Sequence, residues 1–324
     1  MGVIKEYAVG RDFHIDTPLS NLSIAYMQDE NSFVGGRLFP DLSVNKRSDV
    51  YYIFNKGDWF RTIGSTLRAQ KSSPKVVEFA VSSNTYYCDN YALAGEIAWE
   101  DRANADDIIE LERSTVDYVT GRLLLAKERR IASTATSTSN VGSSVTLSGT
   151  DQWNDYGNSD PFQDINIGMR SVHGTTGKEA NTIVMGREVF DVLVNHPDVL
   201  DRIKYTQRGV VTADLLASLI SADRPVNLYV GGAVQNTGTE GLTDSFSYVW
   251  GKNVFIGHVA PTPGRRTASF GYSFRWKPAG FRDMSVLRKV DTKGNYADRL
   301  DVMYFADEKI TGSDLSYLIT STVS

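Results

Sequence analysis

Residues 104–133 read NADDIIELERSTVDYVTGRLLLAKERRIAS, the most legible stretch of a 324-residue chain. Ala105, Ile108, Ile109, Val116, Val119, Leu123 and Ala126 recur at helical spacing and mark one apolar stripe. Asn104 stands where an N-cap belongs, with Asp106 and Asp107 in the first turn, at the positive end of the helix dipole. Lys127, Arg129 and Arg130 crowd the other end, where the dipole favours cations. At about 1.5 Å per residue the rod is roughly 40 Å long. Gly121 in its interior costs about 1 kcal/mol against alanine and points to a bend or a close backbone contact. Leu124 and Leu125 lie off the stripe, so the far end needs cover on more than one side.

Upstream, SDVYYIFN and WFRTIG are rich in strand formers, NKGD between them reads as a turn, and VVEFAVSS reads as a third strand. These predict a projecting hairpin over residues 46–75 that carries Lys46, Arg47, Lys56, Arg61, Arg68 and Lys71. Its aromatics Tyr51, Tyr52, Phe54, Trp59 and Phe60 fit a core and fit a partner chain equally well. Residues 1–45 hold scattered anchors (Leu22, Ile24, Tyr26, Phe33, Leu38, Phe39) between Gly, Asn and Pro breaks, too few for a core of their own. They predict an extended arm, with a short helix around Leu19–Gln28.

Downstream, the Ser/Thr/Gly tract 133–150 reads as a loop or a short hairpin. DPFQDINIGMRSVHG opens a helix on Pro161, NTIVMG is a buried strand, and REVFDVLVNHP, DVLDRIKY and TADLLASLIS are helices. VNLYVGGAV, SYVWGKNVFIGHV, ASFGYSFRW, GFRDMSVLRKVD, DRLDVMYFAD and DLSYLITSTV supply strands to the end. The class is α+β with long non-local pairings.

Composition narrows function. A net charge of −5 argues against tight phosphate neutralisation. Cys88 is the single cysteine, which excludes an internal disulfide or a cysteine metal cluster and reads as a buried small hydrophobe in a reducing compartment. No apolar run approaches the roughly 18 residues of a membrane span. His14, His173, His196 and His258 share no ligand spacing, and His196 before Pro197 reads as a partner for the last carbonyls of a helix. GTTGKE lacks the phosphate-loop spacing and VGGAVQNTG the dinucleotide fingerprint, so both read as turns. No catalytic residue, cofactor site or metal site is expected, and the chain is read as no enzyme.

The order of parts carries a resemblance. NSFVGGRLFPDLSVNKRSDVYYIFNKGDWFR, ALAGEIAWEDRANADD with the rod behind it, LSGTDQWNDYGNSDPFQDI and ANTIVMGREVFDVLVNHPDVLDRIKY together resemble the major capsid proteins of tailed bacteriophages, the Hong Kong ninety-seven type shell fold. The resemblance implies an N-terminal arm (1–45) and an extended hairpin loop (46–75). It implies a peripheral domain (76–154) with a spine helix (104–133), an axial domain (155–281), and strands (282–324) that return to the peripheral domain. It implies a structural head protein that self-assembles through hexamers and pentamers into an icosahedral shell around double-stranded DNA, or alternatively a nanocompartment shell of the same fold around cargo enzymes. Hairpin residues Lys46, Arg47, Tyr51, Tyr52, Lys56, Trp59, Arg61, Arg68 and Lys71 would contact a neighbouring subunit, and Ile108, Ile109, Val116, Val119 and Leu123 would form the spine's core stripe. Further partners would be a separate scaffolding protein, since no long charged leader precedes the arm, a portal and a decoration protein. The DNA would be contacted weakly and no membrane at all. The site would be the virion capsid, assembled in the host cytoplasm.

Overall fold

The computed structural model describes residues 14–15, 31–54, 56–104, 108–204, 211–221, 224–239, 241–264, 267–278, 284–290 and 296–324. The expected helix at 19–28 and the anchors Leu22, Ile24 and Tyr26 lie outside them, as do Ala105, Asp106 and Asp107. In chain order the elements are β1 (His14–Ile15), α1 (Gly35–Leu38), β2 (Asp41–Val44), β3 (Ser48–Phe54), α2 (Lys56–Trp59), β4 (Val81–Tyr87), β5 (Asp89–Ala98), α3 (Trp99–Asn104) and α4 (Ile108–Ala135). There follow β6 (Ser143–Thr146), α5 (Pro161–Thr176), β7 (Thr182–Gly186), α6 (Arg187–Val194), α7 (Pro197–Ile203), α8 (Ala213–Ile220), β8 (Asn227–Gly231), β9 (Val234–Asn236) and β10 (Phe246–Tyr248). The last are β11 (Val254–Gly257), β12 (Gly271–Trp276), β13 (Ser285–Val290), β14 (Ala297–Ile310) and β15 (Ser316–Thr320).

Two sheets organise the chain. A six-stranded sheet runs β1-β13-β14-β12-β2, with β5 on β14, and a five-stranded sheet runs β6-β15-β11-β7-β8. The long strand β14 alternates strictly: Asp298, Leu300, Val302, Tyr304 and Ala306 are buried, at the period of two that puts them on one face. Leu300, Val302 and Tyr304 meet Val116, Val119, Leu123 and Leu124 of α4. Strand β5 comes close enough to the helix that a Cβ at Gly95 would sit 2.4 Å from Thr115 Cγ2. A close approach to the helix is thus made from Gly95 on the strand, and α4 is continuous helix through Gly121.

The five-stranded sheet is covered on both sides, so its strands read as continuous apolar runs. Ile183, Met185, Ile256 and Ile319 face the layer of α5, α6, α7 and α8. Val184, Phe255 and Leu318 face the other way, into a core completed by Ile131, Ala132 and Ala135 of α4 and by Val34, Leu38 and Phe39. One helix therefore serves two cores. Its first half packs on the six-stranded sheet and its last turns on the five-stranded one.

Several expectations are corrected. The spine runs through Ile108–Ala135 among the described residues, past the expected end at 133, so Lys127, Arg129 and Arg130 are interior and the last turn carries no cation. Asn104 is itself helical, in the segment Trp99–Asn104, where a cap residue would stand outside the helix. Tract 133–150 is no hairpin: β6 inside it pairs parallel with β15, Val145 opposite Ile319. The hairpin is longer than 46–75. Strand β3 pairs with β4, Ser48 opposite Tyr87 and Phe54 opposite Val81, while NKGD lies mostly in α2 and WFRTIG forms no strand. Divisions at 154 and 281 cut through sheets. β12 joins the six-stranded sheet, whereas β6 and β15 belong to the five-stranded one, so the returning chain ends away from the sheet expected for it. The end of the arm is also built into its own chain, with β2 parallel to β12.

Candidate assembly surfaces

The stem of the hairpin is anchored in its own chain and its tip is largely exposed. At the base, Tyr86 stacks on Phe274 with centroids 4.5 Å apart, and Tyr51 packs on the same ring at 5.4 Å. Arg47 donates from Nε to the Cys88 carbonyl at 3.1 Å and lies over the Tyr87 ring. Cys88 is fully buried, its thiol pushed up to about 11 by burial and by Asp307 nearby. Beyond the stem the picture reverses: Trp59 is 68% exposed, Leu67 90% and Val76 85%, with Tyr52, Phe60, Ile63, Val77 and Phe79 also open. A run of large apolar side chains in water is what a surface awaiting a partner looks like.

The charged hairpin residues divide in the same way. Lys46 pairs with Asp49 at 3.4 Å, Arg61 with Asp58 at 3.3 Å, and Arg68 donates to the Ser72 carbonyl at 3.1 Å, all at the surface. Lys56 reaches Asp314 at 2.5 Å and so ties the start of the tip to the approach of β15. Lys71 holds a left-handed backbone, φ 64°. Of the aromatics read two ways, Tyr51 is stem core, Tyr52, Trp59 and Phe60 are exposed, and the Phe54 side chain lies outside the described residues. Of the core stripe, Val116, Val119 and Leu123 are buried, and the Ile108 and Ile109 side chains lie outside.

The spine carries charges that its sequence hides. Glu128 is 2% exposed and accepts from the backbone N–H of Val34 at 2.9 Å, of Gly35 at 2.9 Å, and from Trp250 Nε1 at 2.6 Å. Burial pushes its carboxyl up from the ordinary value; those donors pull it back. Lys127 is buried too, its pKa lowered by desolvation against the pull of Asp41 at 3.8 Å. Arg130 holds Glu308 at 3.2 Å and the Tyr304 hydroxyl at 2.8 Å, and lies 3.7 Å from the centre of the Tyr91 ring. At the front of the spine, Arg102 and Arg288 both pair with Glu112 and Asp298. These groups lock the rod to the sheet and to the arm.

His196 serves two helices. Its backbone N–H donates to the Leu193 carbonyl in the last turn of α6 at 3.1 Å, as expected of a partner for last carbonyls. Its ring begins α7, where Nδ1 accepts from Asp198 N–H at 3.2 Å and Nε2 lies 3.2 Å from Ser159 Oγ. A cleft of about 200 Å³ is lined by Asn166, Arg170, His173, Ile220 and Arg224; Arg224 and the His173 ring both meet Glu179, and Arg170 donates to the Asn166 carbonyl at 3.4 Å. Among the described residues no helix is long and apolar enough to cross a membrane.

Residues 108–242 match the family model described as phage major capsid protein E. The chain is 28% identical over 313 residues to the major capsid protein of Burkholderia phage BcepMu, covering 94% of this chain and 96% of that one. The chain is similar to phage major capsid proteins along nearly its whole length. A solved phage-related protein from Bordetella bronchiseptica RB50 shares the fold at a TM-score of 0.74 and 24% identity, over 96% of this chain and 98% of that one. The mature capsid of bacteriophage PhiM1 shares it at 0.55 and 14%, over 90% and 87%. A major capsid protein is a structural component of the virion, and its first partner is another copy of itself.

Proposed function

We propose that this capsid chain assembles through hexamers and pentamers into an icosahedral shell around double-stranded DNA, in the host cytoplasm. The exposed apolar tip of hairpin β3–β4 carries this reading: one copy leaves Trp59, Leu67 and Val76 in water, and a neighbour removes them from it. At roughly 25 cal/mol per Å² of apolar area, such contacts repeated around a closed shell stabilise it strongly while each stays individually weak. The hairpin lies over the next subunit through Tyr52, Trp59 and the cations Lys46, Lys56, Arg61, Arg68 and Lys71. Arg47 and Tyr51 support the stem from within. The six-stranded sheet with the spine serves as the peripheral unit and the five-stranded sheet with its helices as the axial unit, grouped about five-fold and six-fold positions. Scaffolding, portal and decoration proteins act from outside this chain. With a charge of −5 it faces packaged DNA without gripping it. A DNA shell is favoured over a cargo nanocompartment because the relative matched along the whole chain is named a phage major capsid protein.

Electron microscopy of the purified protein, with size-exclusion chromatography of the same sample and nuclease-protected nucleic acid measured in particles from infected cells, tests this. Closed shells, tubes or rings of five and six with protected DNA are the expected result. Particles filled with an enzyme instead of DNA would replace this reading with the nanocompartment. A chain that stays monomeric with its scaffold present would end both.

A further inference from the structure

Two buried side chains on strand β12 carry hydrogen-bonding groups that the described residues leave unused. Arg275 is 2% exposed and Ser273 is fully buried. Two residues apart on one strand, they emerge on the same face of the six-stranded sheet, the face that Tyr304 presents to the spine. The Arg275 guanidinium lies over the Tyr304 ring, 4.7 Å from its centre. Stacking occupies the flat face of a guanidinium and leaves its N–H edge to find acceptors. Arg275 Nε comes to 3.5 Å from Asp41 Oδ2, an ion pair without a formed hydrogen bond. Its Nη1 and Nη2, and the Ser273 hydroxyl, have no hydrogen-bond partner among the described residues. Buried donors without acceptors are rare in folded proteins, and each calls for an explanation.

The charges around them do not balance. Lys127 reaches the same carboxylate from the spine, its Nζ 3.8 Å from Asp41 Oδ1, and is itself buried. Asp41 thus serves two buried cations with one negative charge, and its own side chain is 47% open to solvent. The other carboxylates nearby are engaged elsewhere. Glu308 is held by Arg130, and the oxygens of Glu128 take the N–H groups of Val34, Gly35 and Trp250. Desolvation lowers the Lys127 pKa, Asp41 raises it, and the Arg275 charge lowers it again, so the two cations feel each other. Holding two desolvated cations against one half-exposed carboxylate is costly unless a second negative charge joins them.

We infer that Arg275, Ser273 and Lys127 bind a small monovalent inorganic anion, chloride in the cell, at the joint of arm, spine and six-stranded sheet. The anion accepts from Arg275 Nη1 and Nη2 and from the Ser273 hydroxyl, and its charge answers the Lys127 ammonium. Water meets the same donors but brings no charge. Phosphate and sulfate bring more volume than side chains this deeply buried leave room for. The arm supplies Asp41 and the spine supplies Lys127, so one bound ion ties three segments together. The site belongs to a single copy of the chain and goes beyond the assembly reading.

Melting of the full chain in sodium chloride and in sodium gluconate at equal ionic strength tests this. Gluconate is too large to enter. The midpoint should therefore rise by about 4 °C or more between no chloride and about 300 mM, as binding to the folded state alone requires. Ser273→Ala keeps every charge and should lose at least half of that rise. Arg275→Leu leaves Lys127 and Asp41 as a matched pair and should melt at one midpoint in both salts. Crystals grown in sodium bromide should show an anomalous peak within hydrogen-bonding reach of Arg275 and Ser273. Should Arg275→Leu fail to fold, Ser273→Ala and the bromide map decide. A native midpoint indifferent to chloride, or variants that keep the full rise, overturn the inference. So does a map with water or a carboxylate side chain at that place. A bromide peak with no effect of chloride on melting is binding at crystal concentration only, and it overturns the inference as well.

Discussion

Glu128, in the interior of the spine helix, accepts a 2.6 Å hydrogen bond from the indole of Trp250, a residue 122 positions further along the chain. The same carboxylate takes the backbone N–H groups of Val34 and Gly35, so one side chain joins spine, arm and five-stranded sheet. Removing it strands buried donors from two other segments. Glu128→Ala should lower unfolding stability by about 3–5 kcal/mol, the usual scale for breaking a buried charged network from one side. Glu128→Gln, which keeps one acceptor oxygen, should lose less. Denaturant titration of the unassembled chain measures both, and equal stability of native and alanine forms would remove the joint from the account.

Gly186 ends β7 where the chain enters α6, and a Cβ there would lie 1.7 Å from the carbonyl oxygen of Gly251. The obstacle is backbone, which cannot swing aside. Gly186→Ala should therefore destabilise the five-stranded sheet by about 3 kcal/mol or more, the range of strongly strained core substitutions. Gly36→Ala meets nothing within 4 Å and serves as the matched control. Thermal melting of the two variants side by side reads the difference.

His196 gives the fold a pH dependence. Burial lowers its pKa in the folded state, against Asp198 and Asp160, which raise it. As Nδ1 accepts the Asp198 N–H, the neutral ring is the form that caps α7. The unfolded chain therefore binds the proton more readily. The contribution is fully present above the ordinary histidine value near 6.5 and is lost as pH falls below it toward the folded value. His196→Asn, a good capping residue, should flatten the melting temperature between pH 7 and pH 5, where the native chain declines.

The tip of hairpin β3–β4 should change its accessibility on assembly. In the free chain, trypsin should cut first after Arg61, Arg68, Lys71 or Lys75, all exposed. In particles the same sites should be protected by a factor of ten or more. Trp59→Ala should lower the assembled fraction and leave the unfolding free energy of the unassembled chain within about 0.5 kcal/mol of native, as expected of an exposed position. A tip resistant to trypsin in the dilute free chain would contradict the reading of an unpartnered surface.

The spine, the axial helices and most strands are legible in the sequence, because each has its own period: Val116, Val119 and Leu123 at helical spacing, NTIVMG as an unbroken apolar run. Partnership is less legible. WFRTIG has the composition of a strand, yet β3 finds its partner at residues 81–87, since ladder register depends on where the chain returns. DLSYLITSTV reads as a strand, but its residues do not say which sheet admits it; both sheets bury apolar faces. Lys127 and Glu128 sit in a charged string, KERR, that looks like a solvated face. Their burial depends on Asp41, Val34, Gly35 and Trp250, all distant in sequence. The bare aromatics of the tip had an even balance between core and contact, and only the course of the backbone around them divides Tyr51 from Trp59.

Strand β15 lies between β6 and β11, an interior position filled by one of the last segments of this sequence to be synthesised. Without residues 316–320 the sheet has a gap between β6 and β11, and both strands lose the ladder partner they share. The five-stranded sheet is therefore completed only when a segment far along the chain docks between two strands made much earlier. Its closure depends on pairings between residues more than 170 positions apart in sequence on one side, Val145 opposite Ile319, and more than 60 on the other, Val254 opposite Ile319.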